Sequence, residues 1–227
     1  MVSKNSRNLL VIAIIIFLSA CRTDFDIDIF SSDIFLDTNV DTPVQMLIEI
    51  PSCSKSTEYE AEVLALFSST SKAKIAGCEE QGMKSMLVIS TVAEIATENG
   101  DRDILLFREI IVGDQELVVG DGKFYEIRGI KPFLNPAFLE RVNTLMKKKF
   151  QTLSYKEISI QFAVNNDDRG DILISGTQVW VDGKPYYKYL RKALTRRQKI
   201  SIKLSDVMSD LIMRGAYPIA FYVFRPK

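Results

Sequence analysis

The sequence predicts an α+β fold in which antiparallel β-sheets, built as hairpin meanders, pack with about three helices behind an N-terminal leader. Three observations lead there. Apolar and polar residues alternate with a period of two over many short stretches, among them 158–164 and 199–204. Turn-forming clusters separate those stretches: Asn99-Gly100, Gly113-Asp114, Gly120-Asp121-Gly122 and Asp182-Gly183. Helical spacing with a capping residue occurs in only a few places. With 47% hydrophobic and 26% charged residues the composition is that of an ordinary globular protein.

Asp24, Asp26 and Asp28 alternate with Phe25, Ile27 and Ile29, so a strand here carries its carboxylates on one face and its apolar side chains on the other. Gln45–Ile50 reads as a strand stopped by Pro51. Thr57-Glu58-Tyr59-Glu60 has the form of a capping box, and Val63, Leu66 and Phe67 follow at helical spacing, which predicts a helix over 58–69. Strands are expected at 73–78, 86–95, 104–112, 116–119 and 124–128. Asn135 is a good N-cap and Pro136 suits the first helical position. Leu139, Val142, Met146 and Phe150 then share one helix face, and Lys147, Lys148 and Lys149 complement the dipole in the last turn. Strands at 158–164 and 172–181 flank the turn Asn165–Gly170. Asp182-Gly183 leads through a hairpin to Tyr186, Tyr187 and Tyr189. A strand at 199–204, a short helix capped by Ser205 and ended by Gly215, and a final strand at 217–224 complete the chain.

The leader is a basic start with Lys4 and Arg7, an apolar run from Leu9 to Leu18, and small residues before Cys21. The order Leu18-Ser19-Ala20-Cys21 resembles the lipobox of bacterial lipoproteins. That resemblance covers only the leader and implies an address: cleavage before Cys21, acyl chains on that cysteine, and anchorage to a membrane of the cell envelope. Arg22 stands where an aspartate would imply retention in the inner membrane, so the resemblance implies the periplasmic face of an outer membrane. The rivals are a plain secretory signal cut after Ala20 and an uncleaved membrane helix. The latter is disfavoured because thirteen apolar or small residues fall short of the roughly 20 that span a bilayer. On this reading 1–20 is a signal peptide, 21–45 an acidic tether with a first strand, 46–131 one α+β subdomain and 132–227 a second, basic one.

With Cys21 lipidated, Cys53 and Cys78 remain as an even pair in an oxidising compartment. A disulfide between them would add roughly 3.5 kcal/mol on the chain-entropy account; two buried thiols are the alternative. The chain has no histidine, which removes His-ligated catalytic zinc and Ser-His-Asp or Cys-His centres. No metal or cofactor site and no catalytic set is expected. Ser52–Lys55 and Ser69–Lys72 match S-x-x-K without its companion motifs. Glu79-Glu80 and Asp167-Asp168 are carboxylate pairs of the kind a glycan hydrolase needs.

Formal net charge is zero, yet residues 21–130 carry 9 basic and 21 acidic side chains and residues 131–227 carry 18 and 8. Such asymmetry predicts either docking of the two stretches on each other or an electrostatic partner. Tyr187, Lys188, Tyr189, Arg191, Lys192, Arg196 and Arg197 interleave aromatic and basic groups and form the candidate binding patch. Nucleic acid does not fit an exported chain. An envelope protein or an anionic lipid or glycan headgroup does. The function expected is non-catalytic binding by a lipid-anchored envelope protein, such as an accessory factor or a phage- or prophage-type exclusion protein. A carboxylate-dependent envelope glycan hydrolase is the alternative.

Overall fold

The computed structural model describes residues 22–111, 125–149, 158–186, 188, 190–216 and 218–227. The fold is α+β. Among the described residues, thirteen strands form one mixed, mostly antiparallel sheet, and four α-helices accompany it. The strands are β1 (Thr23–Phe30), β2 (Val40–Ile50), β3 (Lys74–Gln81), β4 (Lys84–Ala96), β5 (Ile104–Ile110), β6 (Tyr125–Leu134), β7 (Ile158–Asn165), β8 (Ile172–Gly176), β9 (Val179–Val181), β10 (Lys184–Tyr186), β11 (Leu190–Leu194), β12 (Lys199–Leu204) and β13 (Phe221–Pro226). The helices are α1 (Ser31–Ile34), α2 (Thr57–Leu64), α3 (Pro136–Lys149) and α4 (Asp206–Met213). None of the described helices is long and apolar enough to cross a membrane.

The order across the sheet is β10-β9-β12-β7-β1-β2-β4-β5-β6-β13-β8-β11, with β3 added beside β4. The sheet curls until its edges approach. Strands β8 and β9 are separated in the chain by Thr177 and Gln178 alone, yet they sit near opposite edges. Across the seam Lys192 on β11 pairs with Asp182 at the β9–β10 turn, 2.7 Å apart. Curling gives the sheet an inside. Alternation along β1, β7 and β12 sends Phe25, Ile27, Ile29, Ile160, Phe162, Ile200 and Ile202 inward, where all are buried. Phe162 on β7 meets Phe221 on β13 edge-on, with ring centroids 5.2 Å apart. Closing a sheet on itself removes most of the unpaired edge that would otherwise recruit other strands.

The registers define two ends. Thr23 is level with Ile48 and Ile158, and Lys203 with Gln161. The start of β1 therefore lies with the last residues of β2 and β12, and with α2 and α4, which follow those strands. At the opposite end α1 follows β1 and the turn at Thr195–Gln198 follows β11. Asn135 caps α3 as its sequence predicts, its Oδ1 accepting from Ala137 N–H at 3.0 Å. Ser205 caps α4 by accepting from Met208 N–H at 3.3 Å.

Several expectations are corrected. The first strand expected within 21–45 is present as β1, in the middle of the sheet, but it begins at Thr23 and β2 already at Val40, so the described part of that stretch belongs to the fold rather than to a tether. Residues 46–131 and 132–227 do not make separate sheets, because β1 pairs with β7 and β6 with β13. The helix expected over 58–69 runs over Thr57–Leu64, and its N-cap is Ser56 rather than Thr57. The meander is not wholly antiparallel, since β1 and β7 run parallel, as do β4 and β5. For β4 and β5 the reason is the returning link 97–103: Arg102 is clamped on Asp41, and Asp103 on the Ser68–Ser71 turn, so Ile104 restarts in the direction of β4. The strand expected over 172–181 is broken at Gln178, whose φ is +54°, into β8 and β9. The expected strand at 116–119, Phe150, Tyr187, Tyr189 and Tyr217 lie outside the described residues.

Candidate functional site

The outer face of the sheet around β1 is where polar side chains gather on regular structure. Asp24, Asp26 and Asp28 project from it, opposite the buried Phe25, Ile27 and Ile29, as the period of two predicts. Two of the three carboxylates are neutralised. Arg22 Nε donates to Asp24 Oδ1 at 2.7 Å, and Lys199 Nζ to Asp28 Oδ1 at 3.0 Å. Asp26 has no ion pair among the described residues. Burial first, then the Asp24 carboxylate, push its carboxyl above the ordinary range, with Lys203 opposing. A trough of about 450 Å³ opens here, lined among others by Asp26, Asp28, Gln45, Ser90, Gln161 and Ser201. Among the described residues no group of His, Cys, Asp or Glu is placed to hold a metal ion.

The basic patch is laid out lengthwise rather than clustered. Lys188, exposed, stands before β11, and Arg196 and Arg197, also exposed, follow it at the α1 end. Five strand residues lie between, so about 17 Å separates the two groups. Tyr187 and Tyr189 lie outside the described residues. Lys192 is committed to Asp182, whose carboxyl is held below its usual range by the Lys192 ammonium first and by Ser201 N–H next. Arg191, Arg196 and Arg197 carry no ion pair among the described residues. Arg197 occupies the left-handed region at φ +66°, and its N–H donates to Asn166 O at 2.7 Å. Asn166 in turn donates to Gly170 O and Leu194 O, which locks the Arg196–Arg197 turn against the turn that bears Arg169.

The acidic stretch satisfies part of the basic one, though not this part. Asp103 pairs with Arg141, Glu126 with Arg225 and Asp28 with Lys199. At the α1 end, Glu126 bridges Arg128 and Arg225, each at 2.6 Å, and Arg225 stacks over the Phe35 ring at 4.1 Å. Arg108, 3% exposed, donates to the carbonyls of Asp33, Leu36 and Thr38, holding the α1 loop over the sheet interior. Asp167 accepts from Ser31 and Ser32 hydroxyls and from Ser32 N–H. Burial opposes its ionisation, but the Ser32 and Ser31 hydrogen bonds outweigh burial and hold the carboxyl below its usual range.

The remaining sequence candidates are in structural use. Cys53 and Cys78 form a disulfide with Cα atoms 5.6 Å apart, tying the single turn Cys53–Lys55 to β3. In the second S-x-x-K match, Lys72 reaches Asp41 at 2.7 Å, while Ser71 and Ser68 hydroxyls donate to Asp103. In the first, Ser52 Oγ accepts from Ser54 N–H and Lys55 is exposed. Glu80 accepts from Ser85, and Glu79 projects from the other side of β3. Sequence reasoning overlooked Gln45, Gln161 and Trp180, which share the outer face with Asp26. The available signal was their place opposite inward-facing apolar neighbours: Trp180 stands between Val179 and Val181.

Cys21 lies outside the described residues, one position before Arg22. No curated protein and no solved structure matches the chain. A family model described as "Domain of unknown function (DUF7424)" matches residues 23–226, from the first residue of β1 to the last of β13. The match covers the whole sheet, and the chain belongs to that family.

Proposed function

We propose that this chain is a bacterial envelope lipoprotein, anchored through acyl chains on Cys21, that binds an anionic envelope partner without catalysis. The observation that carries the reading is the state of the cations. Arg191, Arg196 and Arg197 are exposed and unpaired among the described residues, whereas Lys192, Lys199, Lys72 and Arg225 are each spent on a carboxylate. An unpaired guanidinium offers a planar fork of donors to phosphate or carboxylate. Anchorage agrees with this layout. Arg22 alone separates Cys21 from β1, so an acylated Cys21 holds the α2–α4 end of the sheet toward the bilayer. The Arg196–Arg197 turn then points away from the membrane, toward partners in the periplasm or on an opposing surface. A phosphorylated headgroup or an acidic envelope protein meets that chemistry, as an accessory or exclusion function requires. The hydrolase reading is weaker, because Asp167 is held ionised by Ser31 and Ser32 and is a poor general acid.

Two arms test the proposal. Cys21→Ala should leave an unprocessed precursor that takes up no labelled fatty acid; normal maturation and unchanged mass in that variant would overturn the anchor. Arg191, Arg196 and Arg197 changed together to Glu should abolish capture of the partner from envelope extracts, while unfolding stability changes by no more than about 0.5 kcal/mol per site, the range of surface substitutions. Wild-type capture should also fade at high salt, as the screening length falls from about 8 Å at physiological ionic strength to about 3 Å at 1 M. Undiminished capture by the reversed variant at both salts would refute the cationic surface.

A further inference from the structure

One transverse row crosses eight strands on the outer face of the sheet. Register partners run Pro185 on β10, Trp180 on β9, Lys203 on β12, Gln161 on β7, Asp26 on β1, Gln45 on β2, Ser90 on β4 and Lys74 on β3. On β9, β12, β7, β1, β2 and β4 the row residue lies opposite buried neighbours of its strand, and register places Pro185 and Lys74 level with them on the same surface. The trough of about 450 Å³ is cut into the middle of this row. The carboxamides of Gln161 and Gln45, on either side of Asp26, make no side-chain hydrogen bond to a described residue. Each offers donors and acceptors together. Trp180, the one tryptophan of the chain, is 41% exposed near one end of the row, next to Pro185.

Charge narrows the ligand. Arg22 cancels Asp24, Lys199 cancels Asp28, and Lys203 faces Asp26, so the trough is polar and close to neutral. A cation finds only one unpaired carboxylate, and a phosphate meets Asp26. A polyhydroxylated, uncharged chain meets amide, hydroxyl and carboxylate groups that can each pair with it, and an indole face for its C–H surface. Three inter-strand steps separate Asp26 from Trp180, about 14 Å, which is beyond the reach of a single sugar ring. We propose that this trough binds a neutral oligosaccharide laid across the strands from β2 toward Trp180. The site is distinct from the Arg191–Arg197 edge and does not require an anionic partner there.

The test uses the mature chain, Cys21–Lys227, in detergent, titrated with the tetrasaccharide of N-acetylglucosamine and separately with maltotetraose. Because Trp180 is the sole tryptophan, intrinsic emission reads the end of the row directly. The expected result is a saturable change in emission with at least one sugar, unaltered at high salt. Calorimetry on Gln161→Ala and Asp26→Ala should show weakening of about tenfold or more, the step that corresponds to 1.4 kcal/mol. Trp180→Ala, followed by calorimetry, should weaken binding likewise. Unchanged melting of Gln161→Ala excludes unfolding as the cause. No saturable response to either sugar overturns the proposal, as does binding that all three variants leave intact or that high salt abolishes. The anionic-partner reading is judged separately, since its capture is salt-sensitive and depends on Arg191, Arg196 and Arg197.

Discussion

Asp103, at the start of β5, and Asp26, in the middle of β1, are both aspartates of one sheet, and the sheet treats them oppositely. Asp103 is 2% exposed and accepts from Ser68 N–H, from the Ser68 and Ser71 hydroxyls and from Arg141 Nη2. It joins a serine turn, β5 and α3 at a single carboxylate. Asp26 is partly exposed and carries no ion pair among the described residues. A buried charge is tolerable only when its lone pairs are filled. Asp103 meets that condition with protein donors alone and is therefore part of the fold. Asp26 is left to water or to a ligand, and the fold tolerates it at some cost. Complete protein partners mark a charge as architectural; a partly buried charge without them marks a surface kept for another molecule.

The largest break in that comparison should come from Asp103. In Asp103→Ala the Ser68–Ser71 turn loses its common acceptor and Arg141 its carboxylate. Removing one member of a buried, hydrogen-bonded charge set costs about 3–5 kcal/mol. Urea unfolding should show a loss of that order, with the slope unchanged. A loss of under about 1 kcal/mol would mean that the turn is held elsewhere, and that complete partnering does not identify a structural charge.

Asp167 stands between the two cases: near the surface, yet well supplied with donors. Its folded pKa is depressed, so its contribution is fully present above the unfolded value, about 3.9. The contribution is lost as pH falls through the lower folded value. Asp167→Asn keeps the shape and removes the charge. It should lower stability at neutral pH by about 1 kcal/mol, the scale of a partly solvated charged hydrogen-bond set. The gap to the parent should narrow as pH falls below the unfolded value and close once the parent's depressed carboxyl also protonates. A gap that persists unchanged in acid would show that packing of α1, rather than the carboxylate charge, is what Asp167 provides.

Much of this architecture is legible in the sequence wherever the cause is local. Asn135-Pro136 announces α3 and Ser205 announces α4, because caps act over one turn. The aspartate face of β1 follows from alternation alone. What is not legible depends on distant partners. Nothing in Ile172–Val181 says that Thr177-Gln178 will send its two ends to opposite edges, since the sheet must curl before those edges meet. β11 is invisible for the same reason: Leu190, Lys192 and Leu194 look like a loop with scattered apolar residues until β8 offers a partner. Helical periodicity picks out Leu139, whereas Phe138 is the fully buried residue, because periodicity fixes a stripe only to within one position. The basic run at 188–197 looks like a cluster in the sequence, but the extended strand β11 spreads it along the sheet edge. Gln45, Gln161 and Asp26 are more than 15 positions apart in sequence and become neighbours only through register.

The smallest expected effect is the one that tests the comparison from the other side. Asp26 has a raised folded pKa, caused first by burial and next by the Asp24 charge. For such a group the sign is the reverse of Asp167: stability is greatest below the unfolded value and declines as pH rises through the folded one. Asp26→Asn removes the ionisation and leaves a side chain of nearly the same shape facing Gln45 and Gln161. The variant should therefore equal the parent in acid and exceed it at neutral pH by about 0.5 kcal/mol, the scale of a surface substitution. Urea midpoints measured for both proteins near pH 3, below the unfolded value, and near pH 7 give the comparison. A variant less stable than the parent at pH 7 would mean that the Asp26 carboxylate already has a stabilising partner. Asp26 would then belong with Asp103, among the charges that hold the sheet together.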